Sequence, residues 1–225
     1  VGITQIGMIV SPENKTDFES TLGDGSKYGI DITYIVQSEP KGLAHAVLMA
    51  HDFLGEDDFL MYLGDNLIMD DIRPFVEDFK EKKDLSALIM LSPVDDPSRF
   101  GIAVLENNRI VKTVEKPKEP ESNLAIIGLY LFRKDIFDGI ANIKPSWRGE
   151  YEITDAIDWL IRNRGTVEGH IIYGWWKDTG KPEDLLEANH KILDDVVEDF
   201  RIDGMIEASS SLNGRVSVGE GTEVV

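Results

Sequence analysis

Two aspartates more than a hundred positions apart carry the strongest chemical signal in this chain: Asp65 in Leu63-Gly64-Asp65-Asn66 and Asp178 in Trp175-Trp176-Lys177-Asp178-Thr179-Gly180. Asp65 follows the apolar run Phe59-Leu60-Met61-Tyr62, so it is expected where a buried strand gives way to a loop. In an open α/β sheet that is where ligands bind. Gly64 lets a bulky ligand approach the backbone, and the Asp65 carboxylate offers the hard oxygens that Mg²⁺ takes alongside substrate phosphates. Asp178 offers a second carboxylate, and the expectation is that the two hold one Mg²⁺ over a nucleoside triphosphate. The competing reading is that each aspartate caps the element after it, Asp178 standing near a helix that Pro182 opens.

The elements that must position these groups alternate between short β-rich runs and helical patterns, which reads as an α/β, Rossmann-like, mostly parallel mixed sheet. Strands are expected over 3–10, 32–36, 59–63, 87–91, 124–132 and 167–173. Helices are expected from Ser11-Pro12 to about Leu22, then over 42–53, 72–81, 152–163 and 182–194. Phe75, Val76 and Phe79 recur at helical spacing and should face inward. Asn107-Asn108, between apolar runs at 102–105 and 109–114, reads as a hairpin turn because asparagine tolerates positive φ.

Composition bounds the possibilities. At 225 residues and 42% hydrophobic content the chain can bury a sizeable core, as one large domain or one domain plus a small appendage. With no cysteine, disulfides, zinc-thiolate sites and thiol nucleophiles are excluded. No apolar stretch approaches membrane-spanning length and the start is not of signal-peptide type, so a cytoplasmic protein with no membrane partner is expected. A net charge of -19 argues against a nucleic-acid partner. An anionic substrate would need a local basic pocket and a metal ion to overcome that field.

From residue 195 the pattern changes. Ile206, Leu212, Val218 and Val224 recur every six positions among small or turn-forming residues such as Ser209, Gly214, Gly219 and Gly221. A hexad with one aliphatic per side is the mark of a β-helix, in which each coil buries its aliphatics against the next; chance alternation in a Ser/Gly-rich tail competes. A catalytic domain over 1–194 and a linker plus the start of a hexapeptide-repeat β-helix over 195–225 are therefore expected. Little more than one coil is present, so the segment either belongs to a longer protein or packs against a neighbour, and a homo-oligomer is expected.

Several further runs carry a family resemblance. Residues 34–46, Tyr-Ile-Val-Gln-Ser-Glu-Pro-Lys-Gly-Leu-Ala-His-Ala, stand ahead of Leu-Gly-Asp-Asn at 63–66, Arg99-Phe100-Gly101, Glu115-Lys116-Pro117, Gly128-Leu129-Tyr130, Arg-Gly-Glu-Tyr-Glu-Ile-Thr-Asp at 148–155 and the run from Trp176 to Gly180. Together and in this order they resemble the glucose-1-phosphate thymidylyltransferases, among the sugar-phosphate nucleotidyltransferases, over about residues 1–194. The hexad tail resembles long members of that family, which carry a left-handed β-helix behind the catalytic domain.

The resemblance implies transfer of a nucleotidyl group from dTTP to glucose 1-phosphate, with release of pyrophosphate. UTP as donor, an N-acetylhexosamine 1-phosphate as acceptor, or a non-catalytic nucleotide-sugar-binding or regulatory subunit are the alternatives. It implies Asp65 and Asp178 as Mg²⁺ ligands, and Gln37 reading the pyrimidine edge with Gly42 admitting the base. Lys116 would pair with the sugar phosphate, Arg148 being a second candidate for that contact. Glu115 and the backbone at Gly101 and Gly128 would hold sugar hydroxyls, with Trp176 walling the sugar pocket and Tyr130 beside it. Plain competitors stand next to these roles. Glu115-Lys116 could be a solvated pair, Gln37 a loop residue, Arg148 a salt-bridge partner of the following helix, and Trp175 a core aromatic. His45, His51, His170 and His190 share no metal-ligand spacing and receive no chemistry.

Gly23-Asp24-Gly25-Ser26-Lys27-Tyr28-Gly29 looks like a phosphate loop, but its spacing fails the Gly-rich patterns and it follows a helix rather than preceding one. It reads as a helix stop and turn. The family opens with a strand and a glycine-rich loop bearing an arginine, followed by a lysine, which cradle the triphosphate. That first β-α unit is not in the sequence, so these residues alone are expected to be a poor catalyst.

Overall fold

The computed structural model describes residues 1–196, 201–213 and 216–225. They group into two compact units, Val1–Gly64 with Ile68–Trp176, and Asp65–Leu67 with Lys177–Val225.

In the first unit Gln5–Val10 (β1) pairs in parallel with Asp31–Val36 (β2), Gln5 opposite Asp31 through Val10 opposite Val36. Between them runs Lys15–Leu22 (α1). That helix begins later than Ser11-Pro12 suggests, because the Ser11 carbonyl accepts from both Asn14 and Lys15 N–H and closes a turn first. Its C-terminus is stopped at Gly23, and positive φ at Gly23, Gly25 and Gly29 makes the glycine-rich run the turn that its order implied. The helix expected over 42–53 divides into Leu43–Met49 (α2) and His51–Leu54 (α3), the break falling where Ala50 N–H bonds the Val47 carbonyl and tightens the last turn.

Chain order continues through Phe59–Tyr62 (β3), Asn66–Ile68 (β4), Arg73–Glu81 (α4) and Leu85–Pro93 (β5). Gly101–Glu106 (β6) and Arg109–Glu115 (β7) follow, then Leu124–Phe132 (β8), Ile136–Asn142 (α5), Ile153–Asn163 (α6) and Thr166–Ile171 (β9). Trp176–Asp178 (β10), Pro182–Val196 (α7), Met205–Ile206 (β11) and Glu223–Val224 (β12) complete it. The hairpin β6–β7 turns where expected, with φ of 50° at Asn107 and 67° at Asn108. Among the described residues no helix is long and apolar enough to cross a membrane.

The main sheet has the order β3-β8-β5-β9-β7-β6. The β6–β7 hairpin is antiparallel as expected, but β3–β8, β5–β8 and β7–β9 are antiparallel as well, and among the described residues only β5–β9 of this sheet is parallel. The mostly parallel sheet read from the sequence is therefore corrected to a mixed one in which antiparallel pairs dominate. The cause is β8, which returns from the hairpin and inserts against the direction of β3 and β5; buried on both faces, its run from Leu124 to Phe132 is apolar whichever way it points.

Alternation along β5 divides the core. Ala87, Ile89 and Leu91 pack with Ala44, Val47, Ile136, Ile140, Ile153, Ile157 and Leu160 from α2, α5 and α6. Leu85, Leu88 and Met90 pack with Phe75, Val76 and Phe79 from α4. The sheet thus sits between two helical layers, and its strand ends are fixed by apolar contacts on both sides.

In the second unit β11 and β12 pair in parallel, Met205 opposite Glu223 and Ile206 opposite Val224, eighteen positions apart. Val218 is buried, and Ile206, Leu212 and Val224 are partly buried. Of the tail residues read as hexad spacers, Gly214 lies outside the described residues.

Candidate functional site

Both aspartates lie in the second unit, and local bonds hold each in place. The Asp65 backbone carbonyl accepts from Thr179 twice, from N–H at 2.7 Å and from Oγ1 at 2.8 Å. These two hydrogen bonds to one carbonyl tie Asp65 to the residue that follows Asp178. Asp65 Oδ1 accepts from Asn66 Nδ2 at 2.8 Å, and Asp178 Oδ1 accepts from Gly180 N–H at 2.9 Å. The capping reading is thus met in part, since Asp178 does close a local turn, but at Gly180 and ahead of α7.

The two carboxylates converge over Gly180. A Cβ there would stand 3.0 Å from Asp178 Oδ1 and 4.0 Å from Asp65 Oδ2, so glycine leaves open the space that both face. The adjacent cation is turned elsewhere. Lys177 Nζ pairs with Glu187 at 2.5 Å and Asp184 at 3.1 Å on α7, contacts that hold its pKa above the ordinary lysine value. Among the described residues no Lys or Arg pairs with Asp65 or Asp178, and no group of three or more His, Asp or Glu is gathered as a closed metal cage. A pair of hard oxygen donors without a protein counter-ion suits Mg²⁺, which keeps most of its shell for water and substrate phosphate.

In the first unit, Gln37 follows β2 and its Nε2 lies 3.2 Å from the Gly42 carbonyl oxygen and 2.9 Å from His45 Nδ1. Gly42 has φ of 100°, and a Cβ on it would come within 2.6 Å of the Tyr151 carbonyl oxygen. The glycine is required there by the Tyr151 strap, which bonds Lys41 O at 2.7 Å through its N–H and Ala44 N–H at 3.1 Å through its carbonyl. This is a different reason from the one read in the sequence, where the absent side chain made room for a base. The same strap joins the Gly42-Leu43-Ala44 run to the Arg148-Gly149-Glu150-Tyr151 run.

A second group in this unit gathers around Glu115. Its Oε2 accepts from Thr154 Oγ1 at 3.3 Å, while Oε1 lies 3.5 Å from Arg148 Nη1 and 3.9 Å from Lys116 Nζ. Burial, and then the nearby Glu152 charge, raise the Glu115 pKa; Lys116, Thr154 and Arg148 oppose them. The solvated-pair reading therefore fails for Glu115, although Lys116 itself is largely accessible. Lys116 has φ of 40°, an unusual conformation for a side-chain-bearing residue, and its N–H bonds the Phe100 carbonyl at 3.0 Å. Gly101 sits below this group, where a Cβ would come within 2.8 Å of Thr154 Cγ2 and 3.0 Å of Glu115 Oε2.

Arg148 is committed to carboxylates: Glu115 at 3.5 Å, Glu150 at 3.0 Å and Glu152 at 3.4 Å. Glu152, buried at the start of α6, also accepts from Ser146 Oγ at 2.8 Å. The salt-bridge alternative to a phosphate contact is thus the arrangement seen. Tyr130 is corrected as well. The residue is 3% exposed and stacks on Phe132 at 5.5 Å, because β8 is buried on both faces, so its ring lies in the core and not on an open pocket wall. Gly128 adopts φ of 71° within β8, and its carbonyl accepts from Leu63 N–H at 2.9 Å just before the Asp65 loop. Trp176, not Trp175, packs on the core, edge-on to Phe100 at 5.5 Å.

Four contributors escaped the sequence reading: Thr179, His45, Thr154 and Glu152. All four stand inside the runs that carry the family resemblance, which is the signal the sequence offers. The bonds of His45 and Glu152 reach only four to eight positions back, whereas those of Thr154 to Glu115 and Thr179 to Asp65 join positions far apart in the chain.

A family model for nucleotidyl transferases matches residues 1–195. The chain is similar to the low-salt glycan biosynthesis nucleotidyltransferase Agl11 of Haloferax volcanii, 48% identical over 219 residues, covering 93% of this chain and 61% of the relative. It is similar to a glucose-1-phosphate thymidylyltransferase of Streptomyces antibioticus, 47% identical over 224 residues, covering 99% of this chain and 62% of that one. It therefore spans about three fifths of the length of these curated relatives. Among solved structures, a Bacillus anthracis protein bearing the glucose-1-phosphate thymidylyltransferase name, in complex with sucrose, aligns with a TM-score of 0.75 and 42% identity over 83% of this chain and 75% of that one.

Proposed function

We propose that this chain, which belongs to the nucleotidyl transferase family, is part of an enzyme that transfers a thymidylyl group from dTTP to glucose 1-phosphate and releases pyrophosphate. The observation that carries the reading is the convergence of Asp65 and Asp178 over Gly180 with Lys177 diverted to α7. Relatives named for this reaction, at nearly full coverage of the chain, support the choice of substrates.

Asp65 and Asp178 would hold Mg²⁺, which when bound supplies charge neutralisation at the α-phosphate and at the attacking sugar-phosphate oxygen. Everything else falls to the chain's own groups, because phosphoryl-type transfer depends on positioning and electrostatics more than on covalent chemistry. Thr179 keeps the two aspartates from drifting apart by fixing the Asp65 backbone. Lys116 offers a point charge to the sugar phosphate. Glu115, braced by Arg148 and Thr154, accepts from sugar hydroxyls, and its buried setting strengthens those bonds. Gln37 and Gly42 serve the base. Arg148 acts in this scheme as a brace for Glu115 rather than as a phosphate contact.

UTP is the second donor reading, because Gln37 Oε1 can accept N3–H of uracil as well as of thymine. The tail from 195 is proposed as the start of a left-handed β-helix and as a route to homo-oligomer assembly. A partner offset of eighteen residues, three hexads, between β11 and β12 supports it. The test of function is pyrophosphate release by the complete protein across four triphosphates and several sugar 1-phosphates. The highest kcat/KM is expected for dTTP with glucose 1-phosphate; a clear preference for UTP or for an amino-sugar phosphate overturns the primary reading.

A further inference from the structure

The sequence gives His45 no metal-ligand spacing and no nucleophile to serve, yet it makes one of two bonds that decide which way the Gln37 amide faces. The Gly42 carbonyl oxygen, 3.2 Å from the amide, can only accept, so the amide atom facing it must be the NH₂ nitrogen. The same nitrogen lies 2.9 Å from His45 Nδ1. One of its hydrogens is committed to Gly42, and the other reaches a ring nitrogen that must offer a lone pair. Nδ1 is therefore unprotonated and the ring proton sits on Nε2, the neutral tautomer with its acceptor toward Gln37. Both amide hydrogens are used, and what Gln37 has left to present is Oε1. Among the described residues no donor engages that oxygen.

We propose that His45 is a specificity-determining positioning residue: through its Nδ1 lone pair it locks the Gln37 amide with Oε1 outward, so that the site takes a base bearing a ring N–H donor. Thymine and uracil carry that donor at N3. Cytosine carries a lone pair at the same place, which would face Oε1 and leave two acceptors opposed without a proton between them. The Gly42 carbonyl alone would hold the amide by one hydrogen, and rotation of the side chain would then let the NH₂ group serve cytosine. The imidazole removes that freedom. This inference rests on the reading of Gln37 as the base contact.

The experiment uses the complete enzyme and compares kcat/KM for dTTP and dCTP in the wild type and in H45L, H45N and Q37A. Leucine fills the place of the ring without an acceptor, whereas asparagine sets its Oδ1 at the same two-bond distance from Cβ as the imidazole Nδ1. In H45L the dTTP kcat/KM is expected to fall about tenfold, mostly through KM, and the preference for dTTP over dCTP to narrow by a similar factor. H45N should restore both to within about threefold. Unchanged discrimination in H45L, with a raised dTTP KM in Q37A, overturns the role of His45 while leaving Gln37 as base reader. Failure of H45N to restore the preference, with its melting point intact, overturns the acceptor argument. A dTTP KM unmoved in Q37A sinks the base reading and this inference with it. Independently of any variant, the imidazole nitrogen chemical shifts of wild-type His45 should report the Nε2–H tautomer with and without dTTP, and an Nδ1–H ring in either state overturns the proposal.

Discussion

The Asp65–Asp178 pair and the Glu115–Arg148 cluster are both groups of carboxylates, but they satisfy their charge in opposite ways. Around Glu115 the chain supplies its own cations: Arg148 reaches three carboxylates and Lys116 stands beside one. Around Asp65 and Asp178 it supplies none among the described residues, and Lys177, next in sequence to one of them, is spent on Asp184 and Glu187. A cluster whose carboxylates share internal cations behaves as a rigid frame, since moving a cation leaves buried charge unpaired. An unneutralised pair is stable only because it stays near water, and it is poised for a cation from outside. One region of this chain carries its own counter-ions, and the other, on the proposed function, takes its counter-ion from outside.

The largest effect that tests this contrast is on the unneutralised pair. Asp65→Ala and Asp178→Ala in the complete protein should each lower Mg²⁺-dependent pyrophosphate release by on the order of 10³-fold, several kcal/mol of lost charge stabilisation. Melting temperature should hardly move, because neither carboxylate is buried in the core. Turnover near the wild-type rate in either variant removes the pair from the mechanism. A large loss of stability instead would place it with the rigid frame and erase the distinction.

The cluster should respond in the reverse sense. Arg148→Leu leaves Glu152 buried and Glu115 partly buried without their shared cation. About 2–3 kcal/mol of unfolding free energy should be lost near pH 7, below the value for a fully buried pair because Arg148 itself remains about a quarter exposed. The sign of the pH dependence follows from Glu115. Its pKa is already raised by burial, and Arg148 is one of the groups that oppose the rise, so the variant should raise it further. A carboxyl whose folded pKa exceeds its unfolded one contributes stability that is present below the unfolded value and lost as pH rises through the folded value. The deficit of Arg148→Leu, read from urea midpoints, should therefore be larger at pH 7.5 than at pH 4.5. An equal deficit at both pH values would deny that Glu115 is the group Arg148 braces.

Lys116 lies at the edge of the frame and should show a mixed response. Lys116→Ala is expected to raise the KM for the sugar 1-phosphate by about tenfold with a smaller change in kcat, as loss of one exposed-to-buried charge contact implies. Lys116→Gly removes the same ammonium but relieves the φ of 40°, so it should be about 1 kcal/mol more stable than the alanine variant. Equal stability of the two would show that the backbone there is not strained. An unchanged KM in both would assign Lys116 to the surface.

How far all this could be read from residues alone differs by feature. Helix α4 announced itself through Phe75, Val76 and Phe79, and the β6–β7 turn through Asn107-Asn108, because both are local: a periodicity and a tolerance of positive φ. Strand direction was not local. β8 is apolar on both faces, so nothing in its composition told whether it ran with β5 or against it. Helix α5 carries no such signal, being short and holding Gly139; the structure gives that glycine a purpose, since a Cβ there would press within 2.7 Å of the Ala156 carbonyl oxygen of α6. The structure brings Asp65 and Asp178 both near Gly180, and their candidacy as a pair was legible because each stands in its own short motif. The Arg148 commitment was not, because it depends on which of several neighbouring glutamates folds back toward it.

The smallest expected effect is a control for the whole contrast. Asp71 accepts from Arg73 N–H and from the Arg73 guanidinium at the start of α4, and these bonds bring its pKa down to about 2. It is paired like the Glu115 cluster but lies in water like the aspartate pair. A depressed carboxyl pKa contributes stability above its ordinary value, and that contribution is lost as pH falls toward the folded value. The wild type should thus lose a little melting temperature between about pH 4 and pH 2 that Asp71→Asn, which keeps the acceptor oxygen but not the charge, does not lose. Added salt should shrink the difference, as it does for solvated pairs. If Asp71→Asn were as damaging near pH 7 as Arg148→Leu, pairing alone would explain the rigid cluster. A slight, salt-sensitive effect instead means that burial turns the same Arg–carboxylate contact into a structural frame.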